Sequence, residues 1–536
     1  MRKFLLGLVI LSLFLRFFQI SLSPPELFGD EVDVGYLSFS LLKTGRDLYL
    51  QPFPIYINSL SEDRLPVLIY STVPSVFLFG LSALSVRLPE IIFGSLAPVI
   101  IFLLVFQISR RRSLAAFTAV FLALTPWHIH YSRAAFEVVI MLDLIMLGVL
   151  LYLRKKPILS ALFLCLSFYT YSTAIVFVPL LIIGIFAYQK KLPSFRFSVF
   201  SILFLTPFLY FLFSGTAGTR FQLLSIFNNP DVIRNSINLR NSAAGPYEFI
   251  FHNHYQAIGE YFLQNYLRAF STDFLFVRGD PTIRSSFIIS GQLLPIVAPL
   301  VLIGLAVLIF EKQYFWLYWL AISPIPSALT YDGGYHATRL FFMLVPLSIA
   351  TASGYWYLLR NSKMFWHFIA FTLILANFIY LAHYYIVHYP QVSWRWWQVG
   401  YQEIFSDLKN ISPQYSKVFI NNTYEPSLIR FLFYTQYDPH LFQKQFTLDQ
   451  TIPNIEPYYD GFRLGDKYVF GTFSNTVNKY NLGSFVETNA LYLISARDEI
   501  PAGVDWNKDK PAGIEILSEI NSPENTHLFY LIRKSP

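Results

Sequence analysis

Residues 20–45 read ISLSPPELFGDEVDVGYLSFSLLKTG and carry two adjacent carboxylates, Asp30 and Glu31, directly after an apolar segment long enough to cross a bilayer. Two plain readings of such a pair are a solvated loop and the first turn of a helix, where the dipole favours negative charge. A third is chemistry at the membrane surface, and the rest of the chain decides its weight. The preceding stretch, MRKFLLGLVILSLFLRFF, starts basic and turns apolar like a signal peptide. Its apolar run is too long and no small-residue cleavage site follows, so it reads as an uncleaved first span.

Composition narrows the class. The chain has 536 residues, 54% hydrophobic, 18% aromatic and 14% charged, with a mean hydropathy of +0.46. That is too apolar for a soluble multidomain protein and marks an integral membrane protein. The formal charge of +7 sits in short clusters between apolar runs, where membrane topology accounts for it better than nucleic acid. The single cysteine, Cys165, lies inside an apolar run and excludes a disulfide framework and a cysteine metal site.

Apolar runs able to cross lie near residues 4–22, 89–108, 113–127, 137–153, 157–171, 173–188, 197–213, 291–310, 314–330, 340–359 and 364–385. The segment LPVLIYSTVPSVFLFGLSALS at 65–85 is ambiguous. If it does not cross, the basic clusters Arg110–Arg112, Arg154–Lys156, Lys190–Lys191, Lys312 and Arg360–Lys363 share a side with Arg2 and Lys3. If it crosses, every later cluster moves to the opposite face. The positive-inside rule therefore predicts a polytopic α-helical protein of about eleven transmembrane helices, with 65–85 lying in or re-entering the outer leaflet. The N-terminus is then cytoplasmic and the plasma membrane its site. The loops 23–88, 128–136, 214–290 and 331–339 face outward. The expected division is a transmembrane domain over 1–389 and an extracytoplasmic soluble α/β domain over 390–536. There, strand-like runs (Lys417–Ile420, Lys467–Phe473, Ala490–Ser495, Leu528–Ile532) alternate with helix-like ones (Trp396–Asn410, Pro426–Tyr437).

The outer loops also gather the ionisable residues. Asp30, Glu31 and Asp33 are followed by Glu62, Asp63, Arg64 and Arg87; TPWHIHYSRAAFEVV at 125–139 adds His128, His130, Arg133 and Glu137, and YDGGYHATRLFF at 331–342 adds His336 and Arg339. Charges at span ends are costly unless they line a wet cavity, so one polar chamber at the outer surface is expected.

Five motifs carry a resemblance: FGDEVDVGYLS after the first span, FGLSALSVRLPEIIFG at 79–94, YSRAAFEVV at 131–139, FSTDFLFVRGD at 270–280 followed by GQLLPIVAPLVLIGL, and YHATRLFFMLVP at 335–346. In order and sidedness they resemble the glycosyltransferase-C superfamily, specifically the protein O-mannosyltransferase-like group (glycosyltransferase family 39) that includes the aminoarabinose transferases of lipid A, over roughly residues 1–390. The resemblance implies the glycosyltransferase-C fold and transfer of a sugar from a polyprenyl-phosphate donor to a protein, lipid or envelope-glycan acceptor at the outer face, with inversion by single displacement. An acceptor hydroxyl must lose a proton as it attacks, and the leaving lipid phosphate needs cations.

By the same resemblance Asp30 matches the catalytic aspartate and is the general base, with Glu31 orienting the acceptor or nearby cations. Glu137 stands where many relatives have an aspartate, a departure that keeps the charge and lengthens the arm. Arg339 is the leading donor-phosphate ligand, with Arg87 and Arg133 behind it; His336, Glu62 and Asp63 line the site. Glu137 read plainly caps a helix, and the arginines anchor helices at the interface. Two His-x-His pairs, His128/His130 and His252/His254, would share a face on a strand and form a metal clamp, although sequence supplies no third ligand. No cofactor is required, and a divalent ion is an option that the resemblance leaves open. A competing class is a transporter or sensor with an exported ligand-binding domain. Transporters place charges at mid-membrane in paired repeats, whereas here the charges sit at span ends without a repeat.

Overall fold

The computed structural model describes residues 1–536 apart from 61–62, 214–223, 243–244, 246, 361, 448–451, 454, 475–476, 478–480 and 501–503. The chain divides into two compact units: Met1–Ile20, Leu65–Leu68 and Arg87–Val387 form one, and Ser21–Arg64, Ile69–Val86 and His388–Pro536 form the other.

The first unit is helical. Each apolar run carries a helix, from Arg2–Phe17 to Met364–Val387. Ala83–Ser109, Phe195–Phe213, Phe341–Leu359 and Met364–Val387 are long and apolar enough to cross a membrane, and shorter apolar helices such as Val138–Leu153 and Ala174–Gln189 accompany them. The chain is a multi-pass membrane protein. Within a bilayer, helices associate by close packing rather than by a hydrophobic driving force, so small residues mark their contacts. The helices Ala298–Phe310 and Leu344–Leu359 show this reciprocally: a Cβ on Gly304 would lie 1.7 Å from the Ala350 carbonyl oxygen, and one on Gly354 would lie 2.0 Å from that of Leu300.

The second unit is built on a six-stranded sheet of order β2-β3-β1-β4-β6-β5. Its strands are β1 Lys417–Asn421, β2 Tyr459–Leu464, β3 Tyr468–Phe473, β4 Ala490–Ser495, β5 Ile514–Asn521 and β6 His527–Lys534. β3, β1 and β4 run parallel; β2, β6 and β5 add antiparallel. β4 is buried along its whole length, as a strand with both faces covered must be. On one face Phe419, Tyr492, Ile494, Tyr530 and Ile532 pack with Trp506. The helices Tyr401–Ile411 and Ser427–Tyr434 cover the other, where Phe431 meets Tyr468 and Phe470. Sequence patterning locates four of the strands and misses β2 and β5, whose polar or mixed alternation carries little signal.

The grouping departs from a simple cut at residue 389. Residues 21–64, assigned to the membrane portion by position, belong to the sheet-bearing unit. The helix Gly29–Thr44 is covered by protein along its apolar side: Val32, Tyr36 and Leu37 are fully buried. A Cβ on Gly35 would lie 2.4 Å from the Phe433 ring, the Tyr36 hydroxyl donates to the Tyr437 carbonyl at 3.0 Å, and Gln443 Nε2 donates to the Asp47 carbonyl at 2.8 Å. A helix whose apolar stripe faces lipid and one whose stripe faces protein look alike in sequence.

Candidate functional site

Asp30 and Glu31 occupy the first turn of the Gly29–Thr44 helix, where exposed backbone N–H groups favour acidic side chains. Asp33 follows Asp30 by three residues, so the two carboxylates share a helix face. A single guanidinium joins them: Arg64 Nη2 lies 2.8 Å from Asp30 Oδ1, and Arg64 Nε lies 2.7 Å from Asp33 Oδ2. Reciprocal backbone bonds with Ile57, at 3.0 and 2.8 Å, place the arginine. Ser59 Oγ donates to Asp33 Oδ1 at 2.5 Å. Burial pushes the Asp33 carboxyl above its ordinary range, with Arg64 and Ser59 opposing it. The pair is asymmetric. Asp33 and Arg64 are buried, at 3% and 5% exposure, whereas Asp30 is 47% exposed. Glu31 is fully buried. Asp63 precedes Arg64 in the chain, and Glu62 lies outside the described residues.

Sequence reading counted Asp33 and Arg64 among the polar residues without giving them a role; the three-residue spacing of Asp30 and Asp33 was the available signal for a shared cation. Glu26 was missed altogether. Its carboxylate accepts from the backbone N–H of Gly400 at 2.8 Å and of Gln402 at 2.6 Å, and from the Tyr434 hydroxyl at 3.2 Å. It thereby caps the N-terminus of the Tyr401–Ile411 helix from far away in sequence. Burial pushes it up to about 7 against these hydrogen bonds.

The other candidates lie in the helical unit. Arg133 is buried, and its guanidinium donates to the carbonyls of Leu15, Arg16 and Phe18 at 3.0, 3.1 and 2.8 Å and of Gln19 at 3.1 Å. It closes the C-terminal end of the first helix, where carbonyls otherwise lack partners. Arg87 is also buried, with Nη1 3.4 Å from the Ile20 carbonyl. Both geometries favour architecture over phosphate binding. Arg339 differs: Nη1 donates to Thr330 Oγ1 at 2.6 Å and to Asp332 Oδ1 at 2.5 Å, and Asp332 is 52% exposed. Burial of Asp332 would raise its carboxyl, but the Arg339 charge and hydrogen bond more than offset this and hold it below its ordinary range. His336 accepts the Arg339 backbone N–H through its carbonyl at 3.1 Å.

Glu137 sits at the N-cap position of the Val138–Leu153 helix with a left-handed backbone, φ 49°, and its side chain makes no cap hydrogen bond. A non-glycine residue in that region is strained, and such strain concentrates at functional positions.

The metal-clamp expectation meets a different local structure. His128 and His130 lie on the helix Pro126–Tyr131 rather than on a strand, and a two-residue step on a helix turns side chains to different faces. His128 Nδ1 lies 2.7 Å from Arg16 Nη2, while His130 contacts the Tyr385 hydroxyl at 2.9 Å and the Arg284 carbonyl at 2.6 Å. His252 lies between two helices and His254 begins the second of them, His254–Arg268. Among the described residues no group of three or more His, Cys, Asp or Glu could hold a metal ion.

Residues 7–177 match the family model for dolichyl-phosphate-mannose-protein mannosyltransferase. No protein with a curated description matches the chain by sequence. Among solved structures, the chain resembles ArnT from Cupriavidus metallidurans bound to undecaprenyl phosphate, at 12% identity over 98% of this chain and 97% of that one, with a TM-score of 0.52. It also resembles the Archaeoglobus fulgidus oligosaccharyltransferase tethered with an acceptor peptide, at 12% identity over 100% of this chain and 74% of that one, with a TM-score of 0.47. The likeness to ArnT bears out the expected architecture, a helical membrane fold carrying a C-terminal α/β domain.

Proposed function

We propose that this chain is a membrane glycosyltransferase of the glycosyltransferase-C superfamily that moves a sugar from a polyprenyl-phosphate donor to a protein, lipid or envelope-glycan acceptor on the outer face of the membrane, with inversion. The observation that carries this reading is the asymmetric carboxylate pair on Arg64. Buried Asp33 anchors the guanidinium, and half-exposed Asp30 shares it at the surface. An ionised carboxylate is the form that takes a proton from an acceptor hydroxyl, and a neighbouring cation suits that form. Asp30 is therefore the general base in this reading, with Arg64 as its positioning residue and buried Glu31 orienting the acceptor or neighbouring cations.

Support for the donor class comes from the matched family, whose description names a dolichyl-phosphate sugar, and from ArnT, solved with undecaprenyl phosphate. Arg339 is the phosphate ligand in this proposal, because an arginine paired with a half-exposed aspartate can exchange that partner for a lipid phosphate. Glu137, with its strained backbone, His336 and Asp63 are further candidate residues in this reading. In this reading the N-terminus is cytoplasmic, the sheet-bearing unit is exported and the 65–85 segment stays on the outer side without crossing.

The test uses purified protein in nanodiscs, radiolabelled polyprenyl-phosphate sugars, and protein, lipid and glycan acceptors offered separately. Wild-type protein transfers to at least one acceptor class, and Asp30→Asn lowers the rate by about 10²- to 10⁴-fold with unchanged melting. A folded Asp30→Asn protein transferring at the wild-type rate overturns the proposal.

A further inference from the structure

The helical unit holds a cavity of about 120 Å³ that the proposed reaction leaves unused, bounded by the helices Ala83–Ser109, Arg112–Leu124, Ala298–Phe310, Tyr314–Ile322 and Leu344–Leu359. A single water needs about 10–15 Å³ on this scale, so the space takes a group of several non-hydrogen atoms, the size of a lipid headgroup. Its position is interfacial. Phe310, Tyr314 and Tyr357 are exposed on the helix ends beside it, as aromatic residues are at headgroup level. Arg110, Arg112 and Lys312 are exposed in the two turns that flank it. Arg110 and Lys312 have left-handed backbones, φ 57° and 54°, so each turn keeps a cation where glycine is the relaxed choice.

The cavity wall carries both signs of charge. Arg111 Nη1 donates to Glu311 Oε1 at 3.0 Å and to Glu311 Oε2 at 2.8 Å, and Gln313, Trp316, Ser353 and Trp356 line the wall with them. The Arg111 side chain is 50% exposed and that of Glu311 32%. An ion pair open to this degree is held weakly and can exchange its partners. A purely anionic group that took Arg111 would leave Glu311 without a cation and meet its charge, and a purely cationic group would strand Arg111 in the same way. A group carrying a phosphate and a primary ammonium replaces one ion pair by two. Its phosphate oxygens accept from the guanidinium, and its ammonium, with three donors, takes the carboxylate. Tryptophan in the wall also favours the ammonium end.

From this geometry we infer that the cavity walled by Arg111, Glu311, Gln313, Trp316, Ser353 and Trp356 binds the headgroup of a membrane phospholipid of the phosphoethanolamine type, its phosphate on Arg111 and its ammonium on Glu311. The exposed cations of the flanking turns draw the phosphate end toward the site, and Glu311 selects for the amine.

The experiment titrates full-length protein in detergent micelles with phosphatidylethanolamine, phosphatidylcholine and phosphatidylglycerol of identical acyl chains, and native mass spectrometry counts the lipids bound. Wild-type protein binds phosphatidylethanolamine about tenfold more tightly than either of the others. Glu311→Gln abolishes that preference by weakening phosphatidylethanolamine alone; phosphatidylglycerol binds at least as well as before, which a general loss of structure would not allow. Equal affinity for the three lipids overturns the site, and so does a preference that survives in Glu311→Gln. Tightest binding of phosphatidylglycerol also overturns it, since the basic turns would then be a general surface for anionic lipid. If Glu311→Gln fails to fold, Ser353→Leu takes its place: it fills the cavity while sparing the ion pair, with the same loss of preference expected and an undiminished preference overturning the site.

Discussion

Arg64 and Arg133 are both buried arginines beside segments rich in candidate residues, yet they do different things. Arg133 spends its guanidinium on four backbone carbonyls at the end of one helix. Arg64 divides its own between a buried and a half-exposed carboxylate. The first pattern ties the cation to backbone, and the second holds a half-exposed carboxylate beside a buried counter-charge, as the proposed proton transfer from an acceptor requires. The partner, not the arginine, separates architecture from chemistry.

Arg64→Met should break this contrast most severely. It leaves Asp33 buried and unpaired, which costs about 3–5 kcal/mol, and it releases Asp30. Adding Asp33→Asn should restore most of the lost denaturant stability without restoring transfer. If the double variant regains transfer, Arg64 does not position Asp30.

Arg133→Met should cost less, about 2–3 kcal/mol, because hydrogen bonds from a charged donor to the helix end are lost. The melting temperature falls while KM for the lipid donor in surviving protein stays unchanged. A raised KM with unchanged melting would return Arg133 to the phosphate site.

Glu26 gives the same question a pH axis. Its carboxyl titrates near 4.5 when exposed and at about 7 in the fold, so the folded chain holds the proton more tightly. Its contribution to stability is full below about pH 4.5 and is lost as pH rises through 7, at no more than about 1.4 kcal/mol per pH unit. Melting curves across that window should slope downward, and Glu26→Gln should flatten them.

The smallest effect expected is that of Glu137→Gly, which relieves the left-handed backbone and should raise stability by about 1 kcal/mol. Transfer should nevertheless fall, and a variant both more stable and equally active would remove Glu137 from the site.

Much of this protein is legible from local pattern. The apolar runs locate the helices because each must bury a hydrophobic surface around its whole circumference. The run Ala490–Ser495 reads as a strand because both of its faces are covered. Asp30 stands out because charge beside a span is costly. What pattern misses is long-range pairing. Glu26 meets the backbone at Gly400 and Gln402, the helix Pro126–Tyr131 turns His128 and His130 to separate partners, and Asp332 takes Arg339. None of these contacts has a periodic signature.

By itself the sequence determined the membrane class, the helical segments, the α/β character of the C-terminal part and the acidic pair as the place to look, because composition and periodicity report how much surface each segment must hide. Only the tertiary structure decided that the Gly29–Thr44 helix is packed against protein, that Arg64 pairs with both Asp30 and Asp33, and that Glu26 receives the backbone N–H groups of Gly400 and Gln402. An apolar stripe or a charged side chain states a need for a partner, and the fold alone supplies which partner arrives.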